Sequence, residues 1–131
     1  MFYMDGNWWF STGSSTQSSQ NFPKQLIETI WTKNNYFFPS NDQDKCFLFE
    51  LVGPSIGKLL YKEFDLILHG VRDRNTNHEY LEIEEFSKKY NFHVASLIPL
   101  ENNDMKANKV IDQLVKFNLS SAVASHRGFV V

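Results

Sequence analysis

The stretch "FLFELVGP", residues 47–54, constrains the fold more than any other part of the sequence. It is an apolar run rich in strand formers, stopped by Gly53-Pro54, and it reads as a strand buried in a sheet. A strand of this kind needs pairing partners, so the chain must build a sheet around it. Inside the run stands one carboxylate, Glu50. A charge is costly to bury without a partner, so Glu50 either occupies an exposed face or is bound by something.

The flanking segments supply the other elements. "FYMDGNWWFST" predicts a hairpin turning at Asp5-Gly6, with Trp8, Trp9 and Phe10 in the strand that leaves it. "STGSSTQSSQ", residues 11–20, is the one low-complexity tract, a flexible Ser-rich loop by composition. "FPKQLIETIWTK" places Leu26, Ile27, Ile30 and Trp31 on one helical face, with Pro23 near the first turn. "FDLILHGVRDRNTNHEYLEI" predicts a strand from Asp65 to Val71, a polar connection through Asp73, Asn75 and Asn77, and a return from Glu79 to Leu81. Ile83, Phe86 and Tyr90 then resume helical spacing, "HVASLIPL" is a short strand closed by Pro99, and Ala107, Val110, Ile111, Leu114 and Val115 line one face of a further helix. The last strand is Phe129–Val131. This order predicts an α+β domain with a mixed, mostly antiparallel sheet and packed helices. Both ends read as cut: the first hairpin strand calls for residues before Met1, and an apolar strand closes the sequence.

Composition narrows the function classes. With 131 residues the chain is one domain or part of one. Its 13 basic against 15 acidic residues leave no general electrostatic grip on nucleic acid. Cys46 is the single cysteine, which excludes an internal disulfide and fits a reducing, cytoplasmic setting. No apolar run approaches the ~20 residues that span a bilayer. The 12 Phe, 5 Tyr and 3 Trp fall mostly within periodic segments, where they serve a core.

Four words in order, "DGNWWFSTGSS", "FLFELVGP", "LILHGVRDRNTNHEYL" and "RGFVV", resemble the middle of the nucleotidyltransferase domain of bacteriophage-type ATP-dependent RNA ligases. In that family a lysine of a Lys-x-Asp-Gly motif becomes linked to AMP, with ATP and Mg²⁺ as cofactors and RNA ends as substrates. The resemblance covers roughly residues 5–131 and implies an incomplete nucleotidyltransferase domain. It implies that Glu50 contacts the ribose of the nucleotide, flanked by Phe47 and Phe49, since a carboxylate makes strong hydrogen bonds to a sugar diol. It further implies His69 at the wall of the adenine pocket, and Arg72 and Arg127 near phosphate. Read from the residues alone, His69 is a half-buried strand histidine and Arg72, beside Asp73, is a surface charge at a turn.

The departures bear on the chemistry. No lysine precedes Asp5-Gly6, Gly13 stands where the family places an arginine, and the family's metal-handling glutamate is either replaced by Arg127 or deleted between Arg127 and Gly128. A guanidinium does not replace a carboxylate at a cation. Without the nucleophilic amine the covalent lysyl-AMP step cannot occur on this chain. Lys24, Lys33, Lys45, Lys58 and Lys62 all read as solvated surface groups. The expectation is therefore a chain inactive alone, with weak ATP or AMP binding through Glu50. The alternatives are a non-catalytic nucleotide- or RNA-binding remnant, or one half of a split ligase completed by a second chain.

Other chemistries have less behind them. His69, His78, His93 and His126 show neither i, i+4 pairing nor a cysteine partner, so no zinc site is expected. "GPSIGK", residues 53–58, lacks the Ser or Thr of a phosphate loop. Glu79, Glu82, Glu84 and Glu85 surround a predicted helix N-terminus, where carboxylates are favoured in any case.

Overall fold

The structure, a computed structural model, describes residues 1–54, 56, 61–94 and 111–112. Its elements are β1 (Phe2–Met4), β2 (Asn7–Trp9), α1 (Lys24–Lys33), β3 (Lys45–Val52), β4 (Asp65–Asp73), β5 (Glu79–Tyr80), α2 (Glu84–Tyr90) and β6 (His93–Val94). The six strands form one sheet in the order β2-β1-β3-β4-β5, with β6 also on β4. The fold is α+β and the sheet is antiparallel except for the β4–β6 pair.

Asp5-Gly6 makes the expected turn. Met4 pairs with Asn7 across the two residues, whose φ angles of 51° and 80° are both positive, as a type I′ hairpin requires. The strand that enters the turn is Phe2–Met4, so the hairpin is supplied from within the sequence. The Ser-rich tract that follows β2 closes on itself. Thr12 N–H donates to the Ser15 carbonyl at 2.7 Å, and Gln17 N–H donates to the Phe10 carbonyl at 3.0 Å.

β3 and β4 are the spine of the sheet, paired from Lys45↔Asp73 to Val52↔Asp65. Phe47, Leu68 and Val71 are fully buried on the face that meets the helices. α1 contributes Ile27, Ile30 and Trp31 to this core, and α2 contributes Phe86 and Tyr90. Trp31 is its hub: its indole lies 4.8 Å from the Phe38 ring, 5.4 Å from Tyr36, 5.4 Å from Phe10, 5.5 Å from Phe92 and 6.0 Å from Phe49, centroid to centroid. Such contacts add about 0.5–1.5 kcal/mol each beyond the area buried. Gly53, just past β3, is required by packing, because a Cβ there would lie 1.9 Å from the Phe64 ring.

Three expectations change. The return strand ends at Tyr80, and Leu81 lies outside it at 92% exposure. Lys45 is not solvated: its ammonium is ion-paired with Asp42 at 2.9 Å and Asp44 at 3.1 Å, with 12% of the side chain exposed. Ile111, expected on an apolar helical stripe, is helical and exposed. Arg127, Lys58, the strand Phe129–Val131, most of "HVASLIPL" and most of the helix expected through Ala107 and Val115 lie outside the described residues. No helix among the described residues is long and apolar enough to cross a membrane.

Candidate functional site

Alternation along β3 sorts its side chains. Phe47 and Phe49 face the helices, while Leu48 and Glu50 face the other side and are exposed. Residues directly opposite each other in paired strands share a face, so Ile67, opposite Glu50, belongs to this outer face, as does Arg72, opposite Cys46.

A register shift shapes the neighbourhood. Leu48 pairs with Gly70 and Phe49 with Leu68, which leaves His69 as the extra residue of a β-bulge. The bulge restores the inward alternation with Val71 on the core side and leaves His69 exposed. His69 is therefore a surface side chain beside Gly70, and not the half-buried strand histidine that its apolar surroundings suggest. Gly70 fits because a Cβ there would crowd Leu48 Cδ1 at 3.1 Å.

Of the expected site residues, Glu50, His69 and Arg72 lie on the outer face and Phe49 does not. Phe49 packs into the core, its ring 5.1 Å from Phe92 and 6.0 Å from Trp31, on the opposite side of the sheet from Glu50. It positions the strand and cannot share a ligand with Glu50 on the other face. Arg72 sits four residues from Glu50 in the β3 register, about 13 Å along the strand. Its guanidinium pairs with Glu79 across the β4–β5 ladder at 3.6 Å. That pair is exposed and contributes little to stability.

The edge of the sheet at the start of β4, beside the buried Tyr36 ring, has a second polar centre that sequence reasoning passed over. Asp65, at the start of β4, holds four donors. Tyr36 O–H, Asn34 Nδ2–H and the Leu66 N–H each reach its Oδ1 at 2.8 Å, and His93 Nδ1 lies 2.6 Å from Oδ2. An ionised carboxylate only accepts, so Nδ1 of His93 carries the hydrogen and Nε2 is left for another partner. Burial and then the Asp65 carboxylate push the Tyr36 phenol well above its ordinary range, which keeps it a donor. "NFHVAS" gave no sign of this, since Asp65 opens β4 and the Tyr36 ring, 5.3 Å from the imidazole, follows α1, both distant in sequence.

Asp42 anchors a separate network under α2. It accepts from Lys89 Nζ at 2.8 Å and from Tyr90 O–H, and its other oxygen meets Lys45 Nζ at 2.9 Å. Burial favours the protonated acid, but these three donors outweigh it and hold the carboxyl at about 2. All its oxygens are engaged with donors of the fold, so the network is structural. Among the described residues no group of three or more His, Cys, Asp or Glu side chains forms a cation site.

Comparison with protein-family models, with curated proteins and with solved structures finds no match to this chain.

Proposed function

We propose that this chain is an RNA ligase-like nucleotide-binding protein that holds an adenine nucleotide by its ribose through Glu50 and forms no covalent AMP adduct. The observation that carries the reading is the placement of Glu50. It stands exposed on the outer face of the β3–β4 spine, on a strand anchored by the fully buried Phe47. A rigid strand gives a carboxylate the fixed geometry that recognition of a sugar diol needs. His69 is exposed two residues along β4 from Ile67, the partner of Glu50.

The missing adduct follows from the sequence. Asp5-Gly6 is preceded by Phe2, Tyr3 and Met4, and the turn serves as a hairpin loop. Among the described lysines, Lys45 is locked between two aspartates and Lys33 is paired with Glu63. The test is incubation of the chain with α-labelled ATP and Mg²⁺, followed by denaturing electrophoresis. No label should remain on the protein, whereas a stable AMP–protein band overturns the reading. RNA binding that is indifferent to ATP in the same preparation would favour a module that has lost nucleotide recognition altogether.

A further inference from the structure

An aromatic groove of about 190 Å³ opens between β2, the start of α1 and the loop that follows α1. Trp8 and Phe38 line it, and the buried Phe22 and Ile27 close it from below. The Trp8 and Phe38 rings are nearly parallel, 19° apart, with centroids 6.3 Å from each other. Phe38 also stacks on Trp31 at 4.8 Å, so its ring backs onto the core while 45% of the residue stays exposed. Carbon rings in van der Waals contact lie about 3.5 Å apart, so a flat ligand held between two rings needs about 7 Å. The Trp8–Phe38 separation is short of this by less than about 1 Å, and the exposed Phe38 side chain is the one placed to yield.

Among the described residues, three polar side chains line the same groove. Gln17 is fixed by a reciprocal pair with Phe10: its N–H donates to the Phe10 carbonyl at 3.0 Å, and its Oε1 accepts from the Phe10 N–H at 3.1 Å. That leaves Nε2 of Gln17 as a donor. Lys24 and Glu28, one turn apart on α1, add an ammonium and a carboxylate. Their mutual contact is a loose 3.8 Å pair with both side chains more than half exposed, so it contributes little and is readily exchanged for contacts to a ligand. The two charges offset each other. The groove therefore suits an uncharged ligand with flat apolar faces and an edge that carries both donors and acceptors.

A nucleobase is such a ligand, stacked by aromatic side chains on its faces and read by hydrogen bonds along its edge. Guanine matches this set of groups best. Its N1–H and N2 amino group are adjacent donors for one carboxylate, and its O6 and N7 are adjacent acceptors for an amide or an ammonium. We propose that the Trp8–Phe38 groove is a second ligand site that sandwiches the base of a guanine nucleoside, with Glu28 accepting from N1–H and N2 and with Lys24 and Gln17 donating to O6 and N7. The site is independent of the nucleotide-binding reading of Glu50. Trp8 packs on the Phe47 ring on the helix side of the sheet, and Glu50 faces the other side.

The test is titration of the full chain with guanosine, adenosine and GMP up to millimolar concentration, followed by calorimetry and by tryptophan fluorescence, which stacking on Trp8 quenches. The variants are Phe38→Leu and Glu28→Gln, both at exposed positions, with thermal melts to confirm that each is folded. Guanosine should quench saturably and bind about tenfold more tightly than adenosine, since its edge makes the charge-assisted pair with Glu28. GMP should bind no more tightly than guanosine, because the groove offers its phosphate no net positive charge. Phe38→Leu removes one stacking face and should weaken both nucleosides alike, by about five- to a hundredfold. Glu28→Gln should bring guanosine down to the affinity of adenosine. A folded wild-type chain with no saturable guanosine binding, or Phe38→Leu with wild-type affinity, overturns the sandwich. Equal affinity for guanosine and adenosine, unmoved by Glu28→Gln, overturns the assignment of the edge. Guanosine binding that is lost in Glu50→Gln but kept in Phe38→Leu places the ligand on the outer face of the sheet and overturns the second site.

Discussion

Replacing Asp42 by Asn offers a quantitative check on the packing of α2 against the start of β3. Asp42 is 7% exposed and accepts from Lys45, Lys89 and Tyr90, which hold its carboxyl at about 2 against an ordinary 3.8. The folded value is depressed, so the contribution is fully present above pH ~4 and is lost as pH falls through 2. Depression from 3.8 to about 2 corresponds to about 2.5 kcal/mol at neutral pH, of which about 1 kcal/mol should be gone by pH 3 and about 2 kcal/mol by pH 2. Asp42→Asn leaves the Lys45 ammonium with Asp44 alone in a nearly buried setting. Removing one partner of a buried pair costs more than the pair itself contributes, so about 3 kcal/mol is expected at pH 7. The assay is urea unfolding of the wild type and the variant at pH 7, 5, 3 and 2.5, followed by tryptophan fluorescence. The stability difference should be constant from pH 7 to 5 and shrink by roughly half toward pH 2.5. A difference that stays the same at pH 2.5 would refute the assignment of the Asp42 charge to this network.

Three further outcomes follow from packing and backbone geometry. Trp31→Ala removes the ring shared by five aromatic neighbours and should cost about 3–5 kcal/mol in urea unfolding. Gly53→Ala forces the Phe64 ring to move and should cost about 1–3 kcal/mol, read as a lower thermal midpoint; an unchanged midpoint would show that the ring has room to turn. Gly6→Val places a β-branched residue at φ 80° in the type I′ turn and should cost about 1–2 kcal/mol, whereas Gly6→Asn should cost well under 1 kcal/mol.

The local elements were legible because each carried its own signal. Asp5-Gly6 announced a type I′ turn, the 3.6-residue spacing of Ile27, Ile30 and Trp31 announced α1, and the apolar runs announced β3 and β4. The site was only half legible. Glu50 stood out as a charge in an apolar strand, and the outer face it occupies agrees with the alternation of its neighbours. Phe49 was misplaced because reading the motif as a word ignored that adjacent strand residues point to opposite faces. His69 was misjudged because a bulge cannot be seen in one strand alone: it is a mismatch of count between β3 and β4. Asp65 and His93 were passed over for a related reason, since a parallel pairing and donors from the segment after α1 bring them together and no sequence spacing records either. Lys45 looked like a surface lysine until the loop through Asp42 folded back over it.

The central claim is that Glu50 holds a nucleotide sugar, and the most direct measurement is AMP titration into the wild-type chain and Glu50→Gln, followed by calorimetry. Saturable binding to the wild type and a loss of about 1.5–3 kcal/mol in the variant, about ten- to a hundredfold in Kd, is the predicted result, since a charge-assisted bond to the sugar is removed. Equal affinity in the two proteins, with both folded, would contradict it.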